Sequence, residues 1–448
     1  MAPRIEARTL KGFSDELPER AIVKERCIEV AKRVFRDFGF APIETPALEY
    51  SEVLLGKLDP DSEVQRQIYR FRDHGDRDVA LRFDLTVPFA RFAAQHRQAI
   101  GMPFRRYHIG PVWRGENPQA GRRREFLQCD IDIIGTASAA ADGEVLALVC
   151  HLMGALDVDR YELRVNDRRL LLSKFAEAGV TAGLEPVLRV VDKLEKQGPV
   201  AVADELERIG LSSDATRAVL DVCAIRGQAV ELLQTLGTEA EHLREVVDVA
   251  VAAGADPSKL VLDLSIARGL DYYTGTVFET FLTDLPAIGS ICSGGRYDDL
   301  AALYAQEPLP GVGASLGLTR LIDAWEQLKL LGEEPSTPAP VLVLQVADSA
   351  EESTRVARRL RDAGIATEVY PDAKKLAHQL RYAERKGHRA VILYGPDEQA
   401  RGVVKVRDMC ARSELTVDQS ELADHLTELL RQNRMAVGLT PRSTRGHP

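Results

Sequence analysis

Between residues 18 and 38 the apolar positions recur with a helical period. Cys27, Val30, Ala31, Val34 and Phe38 fall at i, i+3, i+4, i+7 and i+11, which predicts an amphipathic helix with one buried face. FAPIETPALEY then reads as extended chain punctuated by Pro42 and Pro46. The pattern changes to that of strands at 79–84 (VALRFD), 104–109 and 126–134 (FLQCDIDII), which alternate or run apolar, and at 274–281, which is rich in Thr, Val and Phe. From about 170 to 253 the chain turns to Ala, Leu, Glu and Arg at helical spacing, which predicts a helical insertion in an antiparallel sheet flanked by helices. EEPSTPAP (333–340) predicts a linker. Beyond it, strands over 341–346, 365–370 and 390–395 alternate with helices over about 350–363 and 374–386, a small α/β domain. Residues after Gln432 hold too few apolar side chains to pack, and disorder is expected for 433–448. The expected organisation is therefore α+β, with a first domain over 1–330, a linker over 331–340 and an α/β domain over 341–432.

Composition narrows the setting. A chain of 448 residues is too long for one core and calls for two or three domains. Its six cysteines lie far apart with no CxxC pair, which fits reduced thiols in a cytoplasmic protein better than disulfides or structural zinc. The longest apolar run, 145–156, is broken by His151 and falls short of the roughly 20 residues that span a bilayer, so no membrane segment is expected. An acid as early as Glu6 and no apolar core near the start argue against a targeting peptide.

Net charge of −10 argues against a general cationic coat, yet two basic islands stand out. One holds Arg105, Arg106, Arg114, Arg122, Arg123 and Arg124 against Glu116. The other holds Lys374, Lys375, Arg381, Arg385, Lys386 and Arg389 against Glu384. They suggest two anionic contacts, although the second also fits a solvated helix face.

No GxxxxGK[ST] loop occurs. GVGASLGLTRL (311–321) is glycine-rich and carries Arg320 into a helix, a weak signal alone because glycines also serve close packing. WRGENPQAGRRREF (113–126) sharpens it. Arg114 beside a strand, three further arginines in the loop, and Asp130 and Asp132 on the next strand would line a sheet with cations and carboxylates. Guanidinium groups stay charged and offer planar forks to phosphate oxygens, so the set points to a polyphosphate. ARGLDYYTGTVFE (267–279) adds Arg268 beside two tyrosines, one of which strand alternation would turn away from the other.

LRFDLTVPFAR (81–91), RRYHIGPVWRGENPQAGRRREFLQCDIDIIG (105–135), ARGLDYYTGTVFE and GGRYDDL (294–300), in this order, resemble histidyl-tRNA synthetases, which are class II aminoacyl-tRNA synthetases. The resemblance spans nearly the whole chain. It implies an antiparallel-sheet catalytic domain, a C-terminal anticodon-binding domain, a cytoplasmic homodimer, and substrates histidine, ATP with Mg²⁺, and tRNA(His). Arg268 and Arg114 would be the catalytic cations at the α-phosphate. Arg114, Glu116 and Arg122 would hold ATP, and Arg320 would meet its γ-phosphate. Asp84, Thr86 and Gln128 would receive the histidine ammonium, Asp132 and Tyr273 its imidazole, and Tyr297 would close the pocket. Tyr272 is expected in the core, with Asp130 behind the site and His108 and Cys292 structural. Lys374, Lys375, Arg381 and Arg385 are the candidates for tRNA, and no magnesium ligand is legible. Asp84, Asp299 and Thr319 depart from the residues usual in the family. The rival is a non-catalytic, histidine-sensing regulatory paralogue of ATP phosphoribosyltransferase, which lacks the C-terminal domain and usually loses the catalytic arginine and the ATP-binding set.

Overall fold

The computed structural model describes residues 5–56, 63–118, 121–181, 183–267, 272–305, 307–332, 334–346 and 350–434. Arg268 and the segment from 435 onward lie outside the described residues; disorder was expected from 433, and Asn433 and Arg434 end the helix Leu422–Arg434. The chain divides into two compact units. One comprises Met1–Ser14 with Cys27–Leu328, the other Asp15–Arg26 with Lys329–Pro448.

The larger unit is built on a nine-stranded sheet. Its spatial order is Ala41–Pro42, Phe104–Trp113, Glu125–Ile134, Gly311–Gly317, Cys292–Tyr297, Thr276–Leu282, Tyr161–Asp167, Leu260–Asp263 and Arg226–Gln228. The six strands from Phe104–Trp113 to Tyr161–Asp167 pair antiparallel throughout. The apolar run that was too short for a membrane becomes the helix Ala139–Ala155, buried on nearly every side. Ser138 caps it, its Oγ accepting from the Ala140 N–H at 3.2 Å. No helix among the described residues is long and apolar enough to cross a membrane.

Helices Arg168–Glu177, Leu184–Val191, Leu194–Arg208, Ser213–Cys223, Ala229–Thr235 and Glu241–Ala252 occupy the stretch where an insertion was expected. The last of them packs against Ala139–Ala155. A Cβ at Gly143 would stand 2.6 Å from the Val246 carbonyl oxygen and 2.7 Å from the Val249 Cβ, so the two helices approach this closely because the position has no side chain.

The strand expected over 79–84 ends early, at Leu81, and it belongs to a separate three-stranded sheet with Leu48–Tyr50 and Arg70–Arg72. The physical reason lies in Asp84. Its Oδ1 accepts from the Val87 N–H at 3.0 Å, so the carboxylate satisfies an open donor at the start of the helix Thr86–Ile100 and the chain turns there.

In the smaller unit five strands follow the order Thr367–Val369, Val341–Val343, Ala390–Leu393, Val403–Asp408 and Ser413–Asp418. The first three are parallel and the last two add an antiparallel hairpin. Helices Ala350–Asp362 and Leu376–Lys386 lie where the sequence pattern puts them.

Candidate active site

One cavity of about 350 Å³ opens over the antiparallel sheet of the larger unit. Asp84, Thr86, Arg114, Glu116, Arg122, Gln128, Asp132, Tyr273, Tyr297 and Arg320, drawn from distant parts of the sequence, all line it. The geometry divides them into two groups.

The first is a pocket of carboxylates and aromatic rings. Asp132 and Arg106 face each other across adjacent strands, and the two side chains form a buried ion pair. The other Asp132 oxygen, Oδ1, accepts from the Tyr297 hydroxyl at 2.6 Å. Burial pushes the Asp132 carboxyl up to about 6 against the pull of the Arg106 cation. Gln128 donates from Nε2 to Ser315 Oγ at 2.8 Å, which fixes its amide. Its buried Oε1 finds no hydrogen-bond partner among the described residues and remains an acceptor for a ligand. Asp84 is buried, and burial raises its carboxyl above the usual range.

Glycines make the room for this pocket. A Cβ at Gly313 would stand 2.1 Å from Asp132 Oδ1, and one at Gly311 would stand 2.5 Å from the Tyr297 ring. The glycine-rich segment thus serves the pocket floor: GVGASLG is a strand, and its missing side chains are the space the neighbouring acid and ring occupy.

Tyr272 corrects an expectation. Strand geometry would send it away from Tyr273, but the strand begins at Thr276, after both tyrosines, so alternation does not govern them. Its ring lines the cavity at 5.0 Å from the Tyr273 ring and 6.0 Å from that of Tyr297, both edge-on. Its hydroxyl donates to Asp84 Oδ2 at 3.1 Å.

The second group is a cationic wall. Arg114 donates from Nε to the Phe83 carbonyl at 3.0 Å and lies over the Phe126 ring at 5.2 Å. Arg122 pairs with Glu116 at 3.2 Å. Arg320 donates from Nε to the Gly121 carbonyl at 3.3 Å and from Nη1 to that of Ser290. Burial, followed by the Arg122 and Arg114 cations, lowers its basicity. Three guanidinium groups lining one cavity have the charge and geometry to suit an anion.

Three residues of the first basic island do other work. Arg106 is fully buried against Asp132, Arg105 pairs with Glu144 at 2.6 Å, and Arg124 donates to the backbone carbonyls of Glu116 and Lys11. In the second island Arg389 is paired with Asp408 inside the smaller unit, while Lys374, Lys375, Arg381 and Arg385 stand exposed at and along the helix Leu376–Lys386. Asp130 and His108 are opposite one another on paired strands and are buried. Burial raises the Asp130 carboxyl to about 7. Burial, with the Arg106 and Arg82 cations, depresses the His108 imidazole to about 3.

Sequence reasoning missed Glu279, Asp192 and Lys196, which also line the cavity. Glu279 is raised to about 7 by burial and by the Asp192 and Glu195 charges. Asp192, in the turn after the helix Leu184–Val191, and Lys196, on the helix Leu194–Arg208, come from the helical insertion, and no motif marks them; a polar residue in a turn or on a helix face carries no sign of what it will meet. Among the described residues no group of three or more His, Cys, Asp or Glu could hold a metal ion.

A family model described as Histidyl-tRNA synthetase matches residues 12–321, and one described as Anticodon binding domain matches 340–429. A histidine–tRNA ligase of Rhodopirellula baltica is 45% identical over 438 residues, covering 95% of this chain and 99% of that protein. One of Wolinella succinogenes is 45% identical over 419 residues, covering 90% and 94%. The crystal structure of histidyl-tRNA synthetase from Nostoc sp. superposes with a TM-score of 0.84 at 32% identity, over 96% of this chain and all of that one. By the match over most of its length and by its likeness to these relatives, the chain belongs to the histidyl-tRNA synthetase family.

Proposed function

We propose that the protein is a histidine–tRNA ligase: it activates histidine with ATP and transfers it to the 3′ end of tRNA(His). The observation that carries this reading is a cavity lined both by the cations Arg114, Arg122 and Arg320 and by the acceptors Asp84, Gln128 and Asp132. A polyphosphate fits the first set and a zwitterionic amino acid with a polar ring fits the second.

In the first step a histidine carboxylate oxygen attacks the α-phosphorus of ATP, an O–P bond forms, and the bond to pyrophosphate breaks. Charge grows on the α-phosphate oxygens, and cations fixed there stabilise the transition state more than the ground state. Arg114 takes that role by its place in the cavity, and Arg268, outside the described residues, takes it by its place in the family motif. Glu116 and Arg122 hold the nucleotide and Arg320 meets its γ-phosphate. In the second step a terminal ribose hydroxyl of the tRNA attacks the adenylate carbonyl, forming the ester and releasing AMP.

Asp84, Thr86 and the open Gln128 Oε1 receive the histidine ammonium, while Asp132 and Tyr273 read the imidazole and Tyr297 holds Asp132. The acid set does not fit an all-protein magnesium site. It fits a magnesium ion carried on the ATP phosphates, since such an ion needs one or two carboxylates and Glu116 and Glu279 face the cavity. That ion would neutralise phosphate charge.

Catalysis is assigned to residues 1–330 and anticodon binding to 341–432, through Lys374, Lys375, Arg381 and Arg385. A cytoplasmic homodimer completes the reading, with mass by light scattering as its test. The regulatory alternative is disfavoured by the match to an anticodon-binding domain. A regulatory subunit/histidyl-tRNA synthetase structure from Bacillus halodurans is similar at 22% identity and a TM-score of 0.70, a likeness of fold. An amino-acid panel in ATP–pyrophosphate exchange decides: histidine alone drives exchange, and exchange driven by another amino acid, or by none, overturns the proposal.

A further inference from the structure

Arg106 belongs to a basic island of the sequence, yet no part of it is exposed and it cannot meet a substrate phosphate. Its guanidinium lies 4.6 Å from the centre of the Phe89 ring and donates to the Leu85 carbonyl at 3.2 Å. Its charge partner is Asp132, on the paired strand, whose opposite neighbour is the bare Gly313. We propose that Arg106 is a positioning residue for histidine selection: a cation that never touches the amino acid holds Asp132 as an anion aimed at the imidazole N–H.

The surroundings of Asp132 support this. Asp130 on its own strand and Asp84 ahead of the helix Thr86–Ile100 are acids that disfavour a second negative charge. Tyr297 donates to Asp132 from the next strand but one, and the Tyr272 and Tyr273 rings stand over the same pocket. Within this set Arg106 is the positive charge in contact with the Asp132 carboxylate. Without it a buried carboxylate beside two other acids takes up a proton, and a protonated Asp132 offers the imidazole N–H a poorer acceptor. A guanidinium suits the task because it does not lose its proton in a protein interior.

The inference rests on Asp132 as the imidazole acceptor, so the test separates the two ideas. Histidine and a non-hydrolysable ATP analogue are titrated calorimetrically into full-length wild type, Arg106→Met, Arg106→Lys and Asp132→Asn, between about pH 6 and about pH 9. Arg106→Met should weaken histidine by roughly tenfold or more near neutral pH and leave the ATP analogue unchanged. The ratio of its histidine Kd to that of wild type should fall as pH rises and Asp132 ionises; protonation of the free ligand is common to both proteins and cancels in the ratio. Arg106→Lys, which keeps the cation, should bind histidine within about threefold of wild type.

A ratio that does not change with pH, or equal losses for both ligands, makes Arg106 merely structural and overturns the proposal. Should Arg106→Met fail to fold, a tenfold loss of histidine affinity in folded Arg106→Lys overturns it as well. If Asp132→Asn leaves histidine binding intact, the reading of the imidazole site falls first.

Discussion

Two pairs of arginines, one pair in each unit, are used in opposite ways. In the larger unit Arg106 and Arg296 are 0% and 2% exposed, each against a carboxylate, in strands of the nine-stranded sheet. In the smaller unit Arg381 and Arg385 stand in solvent on a helix, while the core beneath is apolar, with Leu342, Leu344, Tyr370 and Val391 packed with Ala383 of that helix. The difference teaches where a charge can carry information. A buried charge is fixed in direction and couples strongly to its neighbours, so it can select one chemical group; a solvated charge is screened within about 10 Å and serves a diffuse anionic surface. A guanidinium in a sequence says nothing about which it will be.

The largest contrast should appear in stability. Arg296 Nε donates to Asp142 Oδ2 at 3.1 Å, and its Nη1 donates to the Thr136 carbonyl at 3.0 Å. Arg296→Met leaves Asp142 buried without that cation and should destabilise the protein by about 3–5 kcal/mol, read by chemical denaturation. Removing Arg381 should change stability by less than about 0.5 kcal/mol. The pH dependence follows from Asp142. Burial raises its carboxyl, but hydrogen bonds from His242, Arg296 and Thr276 outweigh burial and hold it below the usual carboxylate range. Its contribution is therefore present above the unfolded pKa of about 4 and lost as pH falls through the folded value, and Arg296→Met should lose most of that acid-side dependence.

Next in size is the cation proposed for the transition state. Arg268→Ala should lower single-turnover adenylate formation by about 10²- to 10³-fold in a folded protein. Near-normal rates would remove Arg268 from catalysis and leave Arg114 and Arg320 as the cations at the phosphates.

A smaller effect is expected at the amino-acid end. Asp132→Asn replaces an anionic acceptor with an amide and should weaken histidine by roughly 1.5–3 kcal/mol with little change in ATP binding. Calorimetry with each ligand separates the two, and parallel losses would mean that the cavity is not divided as described.

The smallest effect should belong to the solvated cations. Neutralising Lys374, Lys375, Arg381 and Arg385 together should raise the KM for tRNA(His) and flatten the salt dependence of binding by about 0.9 in log–log slope for each phosphate that is no longer neutralised. Histidine-dependent pyrophosphate exchange should not change. An unaltered salt slope would return this cluster to a solvated helix face.

Much of this is legible in the sequence. The strands Phe104–Trp113, Glu125–Ile134 and Thr276–Leu282 lie within a few residues of their expected positions, and so do the helices and parallel strands of the smaller unit. The hairpin Val403–Asp408 and Ser413–Asp418 was missed although both strands alternate, with Val404 and Val406 in one and Leu415 and Val417 in the other; each offers only two such positions, and Leu415 stays exposed. Motif order joined Asp84, Gln128, Asp132, Arg114 and Arg320 in one set of site residues, and the cavity brings them together.

The sequence by itself determined the alternation of elements and the residue types that an adenylating site requires. These depend on spacing along the chain and on chemistry carried by each side chain. Tertiary structure decided which neighbours each charged group has. It turned Arg106 inward and left Arg381 in water, drew Tyr272 into the cavity because the strand starts after it, and used two glycines to make room for Asp132 and Tyr297. The physical reason is that a charge's effect is set by distance and burial, and both depend on residues far apart in the chain that meet when the sheet closes its register.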